Sequence, residues 1–217
     1  SDPAFFLKDQ ITDEIEFGIR HYQNNLSLNA SIFEMNTLNE IRYLPEKNNT
    51  NLDPIKRSCL NLDINYGLDT KTNSSGSFSY IDAYFTSGSL TRGAFEGTYA
   101  ANSQTALNKM DTSRNLSDGT YSIAGLKVPL VSEYVYNVGL DYLMPQDILF
   151  KINMSFADDM FVSNDQENIE PTIPSYYLFD LSLSGDNEYG MWSFGVDNIF
   201  NTSYYNYAVA SSSHVDT

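Results

Sequence analysis

The chain has very few of the residues that build metal centres and disulfide frameworks. Cys59 is its only cysteine, and its two histidines, His21 and His214, lie far apart in a sequence of 217 residues. A single cysteine forms neither an intramolecular disulfide nor a cysteine metal cluster, and a zinc site of the usual kind needs more ligands. We therefore expect no metal site and no cofactor.

Positive charge and long apolar runs are also scarce. The 12 Lys and Arg residues face 28 Asp and Glu residues, which gives a formal net charge of −16. Such a chain repels phosphates, so its charge argues against nucleic acid as a partner. No apolar run approaches the roughly 18 residues of a transmembrane helix. The opening Ser1-Asp2-Pro3 is not typical of a signal peptide.

Aromatic residues are abundant, and they recur at every second position. The chain contains 16 Tyr, 13 Phe and one Trp. Near the C-terminus Trp192, Phe194 and Val196 alternate with small or polar residues, which predicts a strand with one apolar and one polar face. The same pattern predicts eight strands at residues 13–20, 26–32, 60–66, 77–85, 134–142, 150–156, 177–184 and 192–196.

Two predicted strands contain irregularities. Phe33 and Met35 break the alternation of the second strand, which indicates either a bulge or an aromatic side chain turned inward. In the fourth strand Phe78 and Tyr80 compete with Ile81 and its alternate neighbours for the apolar face.

The connections between the predicted strands alternate in length. Short polar turns lie at residues 23–25, 69–75, 145–147 and 186–190, and long loops at 39–55, 86–121 and 158–174. Outer-membrane β-barrels have this asymmetry, with short periplasmic turns and long extracellular loops. The first strand should therefore run toward the periplasm and Asn201 should lie at the outer rim. Tyr66 and Trp192 should lie in the periplasmic aromatic girdle.

A soluble β-sandwich would also alternate between an inward and an outward face. Its outward face should carry many Lys, Glu and Thr residues. The polar face here is mainly Asn, Ser, Gly and Asp, and large apolar residues run along the whole length of the other face. This composition favours the transmembrane barrel.

Four ordered stretches carry a resemblance to a known family. The first is Leu7-Lys8 followed by Asp13, Glu16 and Gly18, although Asp9 and Gln10 stand where Pro and Glu are usual. The second is Asn39-Glu40-Ile41, then Asn51-Leu52-Asp53-Pro54 and Arg57, with Cys59 and Asn61 replacing Gly and Glu. The third is Gly125-Leu126-Lys127-Val128-Pro129-Leu130-Val131, where Ser132 replaces a second Pro. The last is Val196-Asp197-Asn198-Ile199-Phe200-Asn201 with Tyr204.

In this order the stretches resemble the C-terminal part of TonB-dependent outer-membrane receptors. The resemblance implies that residues 1–217 are an all-β, antiparallel fragment of about eight strands from a barrel of about 22 strands around a plug. The plug, the energy-coupling box and the terminal strand are expected to lie outside this chain. Two open sheet edges would then leave the fragment alone neither stable nor competent for transport.

The implied function is energised uptake of a scarce nutrient chelate across the outer membrane of a Gram-negative bacterium. A ferric siderophore is the first choice, and haem or cobalamin are alternatives. The implied partners are the plug, the remaining strands, the TonB energy-coupling complex, outer-membrane lipid and a small chelate. No enzyme activity is expected. The rival hypotheses are a soluble or surface-anchored β-rich adhesin or binding module, and an outer-membrane hydrolase, which His21 at the periplasmic end supports poorly.

Three groups of residues are candidates for function. The charged residues of the predicted inward face either contact the plug and the substrate route or form an ordinary polar lining with local salt bridges: Glu14, Glu16, Arg20, Asp63, Asp141, Lys151, Asp180 and Asp197. Three tyrosines at the outer rim are either ligand contacts or interfacial anchors: Tyr204, Tyr205 and Tyr207. The acidic loop either attracts a cation or is simply solvated: Asp158, Asp159, Asp165, Glu167 and Glu170. Cys59 is expected to be a small inward-facing filler.

Overall fold

The computed structural model describes residues 7–44, 48–91, 120–163, 165–168 and 170–209. Residues 92–119, within the longest predicted loop, and His214 lie outside the described residues. The strands in chain order are β1 (Ile11–Gln23), β2 (Leu26–Leu38), β3 (Ile41–Leu44), β4 (Asn48–Asn51), β5 (Ile55–Gly67), β6 (Thr72–Phe85), β7 (Ser89–Thr91), β8 (Thr120–Ser122), β9 (Tyr134–Met144), β10 (Ile148–Ala157), β11 (Tyr176–Asn187) and β12 (Gly190–Val196).

Eight of these strands form one antiparallel sheet in the order β1-β2-β5-β6-β9-β10-β11-β12. The prediction of an all-β antiparallel architecture with eight long strands is confirmed. Within the described residues the sheet is open, because there β1 pairs only with β2 and β12 pairs only with β11. No helix within the described ranges is long and apolar enough to cross a membrane.

The predicted loop at residues 39–55 is not irregular throughout. It contains the ribbon β3–β4, in which Ile41 pairs with Asn51 and Arg42 with Thr50. A second ribbon, β7–β8, joins the two ends of the long connection between β6 and β9. The prediction of irregular loops was wrong at these points because the strands of each ribbon have only three or four residues, too few to show an alternation, and β7 and β8 are also far apart in sequence.

The strand register aligns apolar residues into rows across the sheet. One row runs from Ile19 through Ala30, Leu62 and Phe78 to Tyr136 and continues to Phe156 and Tyr177. On β1 the side chains of this face are mostly uncovered: Ile15, Phe17 and Ile19 are 67%, 69% and 63% exposed. Large exposed side chains along whole strands need a non-aqueous surrounding, as on the lipid face of a barrel.

The register also settles the two irregular strands. Phe33 pairs with Glu16 and Cys59 without any interruption of the ladder, so β2 has no bulge and the aromatic ring lies on the polar face. In β6, Phe78 and Tyr80 share the apolar face with Tyr136 and Tyr134. Ile81 therefore lies on the opposite face, as do Ala83 and Phe85, which are buried.

Aromatic rings occupy both ends of the apolar face. We call the end of the sheet that carries the long connections the loop end and the opposite end the turn end. Near the loop end Tyr80 packs on Tyr134 with ring centroids 5.1 Å apart, and Phe156 packs on both Tyr136 and Tyr177 at 4.6 and 4.7 Å. At the turn end Trp192 pairs with Gly185, and its ring covers the space that a side chain at residue 185 would fill. This arrangement matches the aromatic girdles that flank the apolar band of a transmembrane barrel.

The turns at one end of the sheet are short for local reasons. Asn24 adopts a left-handed backbone with φ 49°, which asparagine tolerates, and Gly190 has φ 131°. The carboxylate of Asp69 accepts the backbone N–H groups of Lys71 and Thr72 at 2.7 and 2.8 Å. These two bonds hold the pKa of Asp69 below its ordinary value. The turn that we predicted at 69–75 is shorter, because β6 already begins at Thr72.

The most deeply buried cluster lies at the loop end of the sheet, on the polar face. It consists of Leu52, Ile55, Ala83, Phe85, Ile123 and Val128, each 5% exposed or less. Residues 126–128 extend the sheet beside β6, since Phe85 donates to the Leu126 carbonyl and Val128 to the Ala83 carbonyl. Burial of this cluster therefore fixes the loop that precedes β9.

A charge on the apolar face should be far more costly than the same charge on the polar face. Val138, in the middle of β9, is 49% exposed on the apolar face, whereas its neighbour Asn137 points to the other face and donates to Ser77. We expect Val138→Arg to lower the free energy of unfolding in a bilayer by about 2–4 kcal/mol.

The matched change Asn137→Arg should cost about 1 kcal/mol or less, because it removes only one hydrogen bond. Urea unfolding of the intact protein in lipid vesicles measures both values. Equal costs for the two variants would contradict the assignment of the faces.

Candidate functional site

The predicted inward-facing charges all belong to the polar face of the sheet or follow it directly. In the ladders Glu14 lies opposite Met35, Glu16 opposite Phe33, Arg20 opposite Asn29, and Asp63 opposite Asn29 and Ser77. Asp141 lies opposite Lys151, Asp180 lies opposite Asn153, and Asp197 follows the last residue of β12.

Several of these charges are satisfied locally. The Lys151 ammonium lies 3.0 Å from an Asp141 carboxylate oxygen, and Arg20 donates its Nε–H to the Asn29 side chain at 3.0 Å. The Asp180 carboxylate accepts the backbone N–H of Asn198 at 2.8 Å. Local pairing of this kind is what the polar-lining hypothesis expects for Asp141 and Lys151.

A hollow of about 570 Å³ opens on the polar face of β1, β2 and β5. Glu16, Arg20 and Asp63 contribute its charged groups, and Asn29 and Asn61 contribute carboxamides. Ser31, with a short side chain, and Gly18, with none, also line the hollow.

The second and third of the four stretches that resemble the receptor family meet in one ion network at the loop end. Glu40 accepts from Arg57 at 2.5 Å and from Arg42 at 3.2 Å, and all three side chains are less than one quarter exposed. Arg57 also reaches the Thr37 hydroxyl, and Arg42 donates to the Pro129 carbonyl at 3.1 Å. The network therefore ties β2, β5 and the segment before β9 together.

The Lys127 side chain forms ion pairs with two carboxylates. Its ammonium lies 2.8 Å from Asp82 and also contacts Glu133. Burial opposes the charge of Lys127, but the bonds to Asp82 and Glu133 outweigh this effect and raise the pKa of the ammonium above its ordinary value. Beside it, a cavity of about 350 Å³ lies between β6 and the loop that follows β10, with Val131 and Phe161 in its wall.

The acidic loop is not simply solvated. Asp165 and Glu167 are only 3% and 8% exposed, so the expectation of a solvated loop is wrong for these two residues. One Asp165 carboxylate oxygen accepts the backbone N–H of Glu170 at 3.0 Å. Burial follows because the loop folds against its neighbours, with Ile173 and Val162 also buried. No group of three or more His, Cys, Asp and Glu side chains in the described part of the chain is arranged to hold a metal ion.

Backbone contacts join this loop to the segments on both sides of it. The Asn168 carboxamide accepts the backbone N–H of Lys127 at 2.7 Å and donates to the Lys127 carbonyl at 3.0 Å. Ser163 donates its N–H to the Ala208 carbonyl at 2.8 Å and bridges to Val209. The segments around Lys127, Ser163 and Ala208 thus form one connected assembly at the loop end.

The motif after β12 forms a tight turn that leads into the tyrosine-rich segment. Asn198 and Asn201 both have φ 51°, a left-handed conformation that asparagine tolerates. Phe200 packs its edge on Phe179 with centroids 5.2 Å apart, and Ile199 donates its N–H to the Phe179 carbonyl. Ring packing and a backbone hydrogen bond therefore both hold this turn against Phe179 of β11.

The three candidate tyrosines are not equivalent. Tyr204 packs on Tyr176, with ring centroids 4.7 Å apart, which favours an anchoring role for it. Tyr205 is 69% exposed and Tyr207 is 53% exposed. Sequence reasoning missed Tyr176 and Asn168 as partners of this region, because nothing in their local pattern distinguishes them from other residues of a Tyr-rich and Asn-rich chain.

Comparison with known proteins gives a consistent picture. Residues 1–199 match the sequence profile described as the TonB dependent receptor-like β-barrel. Similar solved structures include the ferric-catecholate import receptor Fiu from Escherichia coli K12 (TM-score 0.62, 15% identity), the siderophore receptor PiuA from Acinetobacter baumannii (0.63, 20%) and the ferric yersiniabactin uptake receptor FyuA from Yersinia pestis (0.68, 15%). None of the curated protein sequences compared with the chain matches it.

The length of the match is informative. The three structures cover 94%, 93% and 94% of this chain, whereas the chain covers only 25%, 26% and 27% of them. The chain therefore spans about a quarter of the length of these proteins, and at identities of 20% or less the likeness concerns the fold.

The Glu40 network should contribute more to stability than an exposed ion pair. Removing the carboxylate in Glu40→Ala leaves two largely buried guanidinium groups without their acceptor, so we expect a loss of about 2–3 kcal/mol in the free energy of unfolding. The matched change Glu34→Ala breaks the pair of Glu34 with Lys56, in which the Glu34 side chain is 53% exposed. It should cost less than about 1 kcal/mol.

Urea unfolding of the intact protein in detergent compares the two variants. A Glu40→Ala cost no larger than that of Glu34→Ala would contradict a structural role for the network.

Proposed function

The chain belongs to the TonB-dependent receptor β-barrel family, and we propose that it is the C-terminal part of a larger plugged barrel in the outer membrane of a Gram-negative bacterium. The chain spans only about a quarter of the receptors with similar structures, which supports this proposal. A second support is the open sheet, whose outer strands β1 and β12 each have one edge without a partner strand in the described residues. Such edges need pairing within a bilayer.

The proposed activity is energised uptake of a scarce nutrient chelate, with binding at the extracellular end followed by movement of the plug. A ferric siderophore is our first candidate, since the three similar receptors are named for ferric complexes or siderophores. Haem and cobalamin are the alternatives. The family consists of transport receptors, so no bond-making chemistry is proposed. The single observation that carries the proposal is the family match over residues 1–199.

The polar face should provide the contacts with the plug. The hollow with Glu16, Arg20 and Asp63 offers charged groups of both signs and is the best candidate, and Glu14 lies one alternate position further toward the loops. Asp141 and Lys151 neutralise each other, so we assign them to the polar lining. The TonB energy-coupling complex would act on the plug.

The exposed tyrosines are our candidates for ligand contact. Tyr205 and Tyr207 present ring surfaces at the extracellular end, and aromatic rings bind apolar and planar parts of ligands at low entropic cost. A water-soluble adhesin with the same sheet would have to cover the apolar face, on which Phe17 and Phe194 are 69% and 62% exposed. The receptor proposal accounts for that face directly.

Uptake by cells tests the proposal. Cells that lack the native gene should be complemented with the intact protein and supplied with a radiolabelled ferric trihydroxamate, ferric tricatecholate, haem or cobalamin. We expect accumulation of one of these that depends on the protein and stops when the proton-motive force is dissipated. No protein-dependent accumulation of any of the four would contradict the proposal.

Loss of an exposed rim tyrosine should weaken binding of the transported complex. We expect Tyr205→Ala to raise its Kd in intact cells about two- to tenfold, since an aromatic contact contributes roughly 0.5–1.5 kcal/mol beyond its buried area. Tyr189→Ala is the matched control, because Tyr189 is 90% exposed but lies in the turn at the other end of the sheet. An equal effect of both changes, or of neither, would exclude the tyrosine contact.

A further inference from the structure

Three asparagines at the loop end share one unusual bonding pattern. The carboxamide of each accepts the N–H and donates to the C=O of the same residue, and those of Asn51 and Asn168 also donate to the carbonyls of Asn39 and Asp165. Asn198 does so with Thr202 at 2.8 and 2.9 Å, and Asn168 with Lys127 at 2.7 and 3.0 Å. Asn51 does so with Lys8 at 2.7 and 3.0 Å. We call each of these arrangements a carboxamide clasp.

A clasp replaces the partner that a peptide group would have in a β-ladder. Within a ladder, a residue pairs its N–H and C=O with a neighbouring strand. A primary carboxamide has one acceptor oxygen and donor hydrogens in one plane, so a single side chain satisfies both peptide groups. Asn168 and Asn198 have φ 55° and 51°, a region that asparagine enters more readily than most residues.

Two of the clasps bear on the same short segment, residues 202–209, which we call the tyrosine arch. At its start, Asn198 holds Thr202, and the Asn198 N–H is in turn fixed by Asp180. At its end, Ala208 and Val209 are bound to Ser163, in the loop that Asn168 fixes to Lys127. The arch is therefore held at both ends.

The exposed rings lie between the two anchors. Tyr204 packs on Tyr176 just after the first anchor and is 43% exposed, whereas Tyr205 and Tyr207 are the more exposed rings of the arch, at 69% and 53%. A binding surface that is already ordered loses less conformational entropy when its ligand arrives. The geometry therefore suits a preformed aromatic contact rather than one that orders on binding.

We propose that Asn198 and Asn168 are positioning residues that fix the tyrosine arch before ligand binds, so that Tyr205 and Tyr207 form a preorganised contact for the transported complex. The ligand part of this inference rests on the proposed function. The structural part does not, because it concerns only the hydrogen bonds of the arch and of the loop beside it. Asp180 supports the same arrangement through the Asn198 N–H.

Amide hydrogen exchange on the intact purified receptor, without ligand, tests the structural part. Asn198→Asp keeps the acceptor oxygen but places a carboxylate oxygen against the Thr202 carbonyl. Asn198→Gly keeps the positive φ and removes both bonds. In both variants we expect peptides covering residues 202–209 to exchange about tenfold faster, the effect of losing two hydrogen bonds. Asn168→Gly should accelerate exchange at Ser163 and in the same arch.

Three results would overturn the proposal. Unchanged exchange of the arch in the Asn198 variants would show that the clasp does not hold it. If the arch of Asn198→Gly alone exchanges at the wild-type rate, the positive φ at residue 198 and not the hydrogen bonds of its side chain holds the arch. Faster exchange throughout β9–β12 would show a general loss of stability. Asp69→Ala, at the opposite end of the sheet, is the control and should leave the arch unchanged. If the Asn198 variants do not insert into the membrane, Asn168→Gly decides the question.

The ligand part has a separate readout. In the uptake assay with the radiolabelled complex that the wild type accumulates, the Asn198 variants should raise KM several-fold and leave the maximal rate unchanged. Faster exchange of the arch with an unchanged KM would overturn the preorganised contact. Failure of the wild type to accumulate any complex would instead contradict the proposed function, and the exchange result would still decide whether the clasps hold the arch.

Discussion

Backbone pairing in a medium without water is the constraint on which this structure depends. A strand in hydrocarbon must pass every N–H and C=O to a neighbouring strand, because no solvent is there to bind them. The eight long strands meet this requirement with an unbroken antiparallel order, even where Phe33 interrupts the apolar pattern. By the same constraint, the edges of β1 and β12 that have no partner among the described strands need one in a bilayer. In the proposed receptor they pair with further strands of the same barrel.

Where the ladders end, the chain satisfies its peptide groups in another way. At the loop end, side-chain carboxamides, the Asp180 carboxylate and the Arg42 guanidinium bind backbone groups in place of neighbouring strands. The buried cluster around Phe85 and Val128 excludes water from the segments that these bonds connect. In the proposed receptor, the described segments of this end form an ordered surface, which is what specific ligand binding requires.

The sequence predicted the strands well because strand faces depend on local alternation. Rows such as Leu62, Phe78 and Tyr136 follow from a period of two residues, and the short turns follow from Asn24, Asp69 and Gly190. The face of Ile81 could not be read locally, since it depends on which loop covers β6. Burial of Asp165 and the partnership of Asn168 with Lys127, 41 residues apart, are likewise tertiary contacts without any periodic signal.

The proposed receptor requires that this chain be one part of a much larger barrel. The most direct measurement is the intact mass of the native protein in a detergent extract of the outer-membrane fraction. The account predicts a species several times heavier than the 24.5 kDa of this chain. A 24.5 kDa protein that stays in solution without detergent would contradict it and would leave a secreted β-module as the better explanation of the sheet.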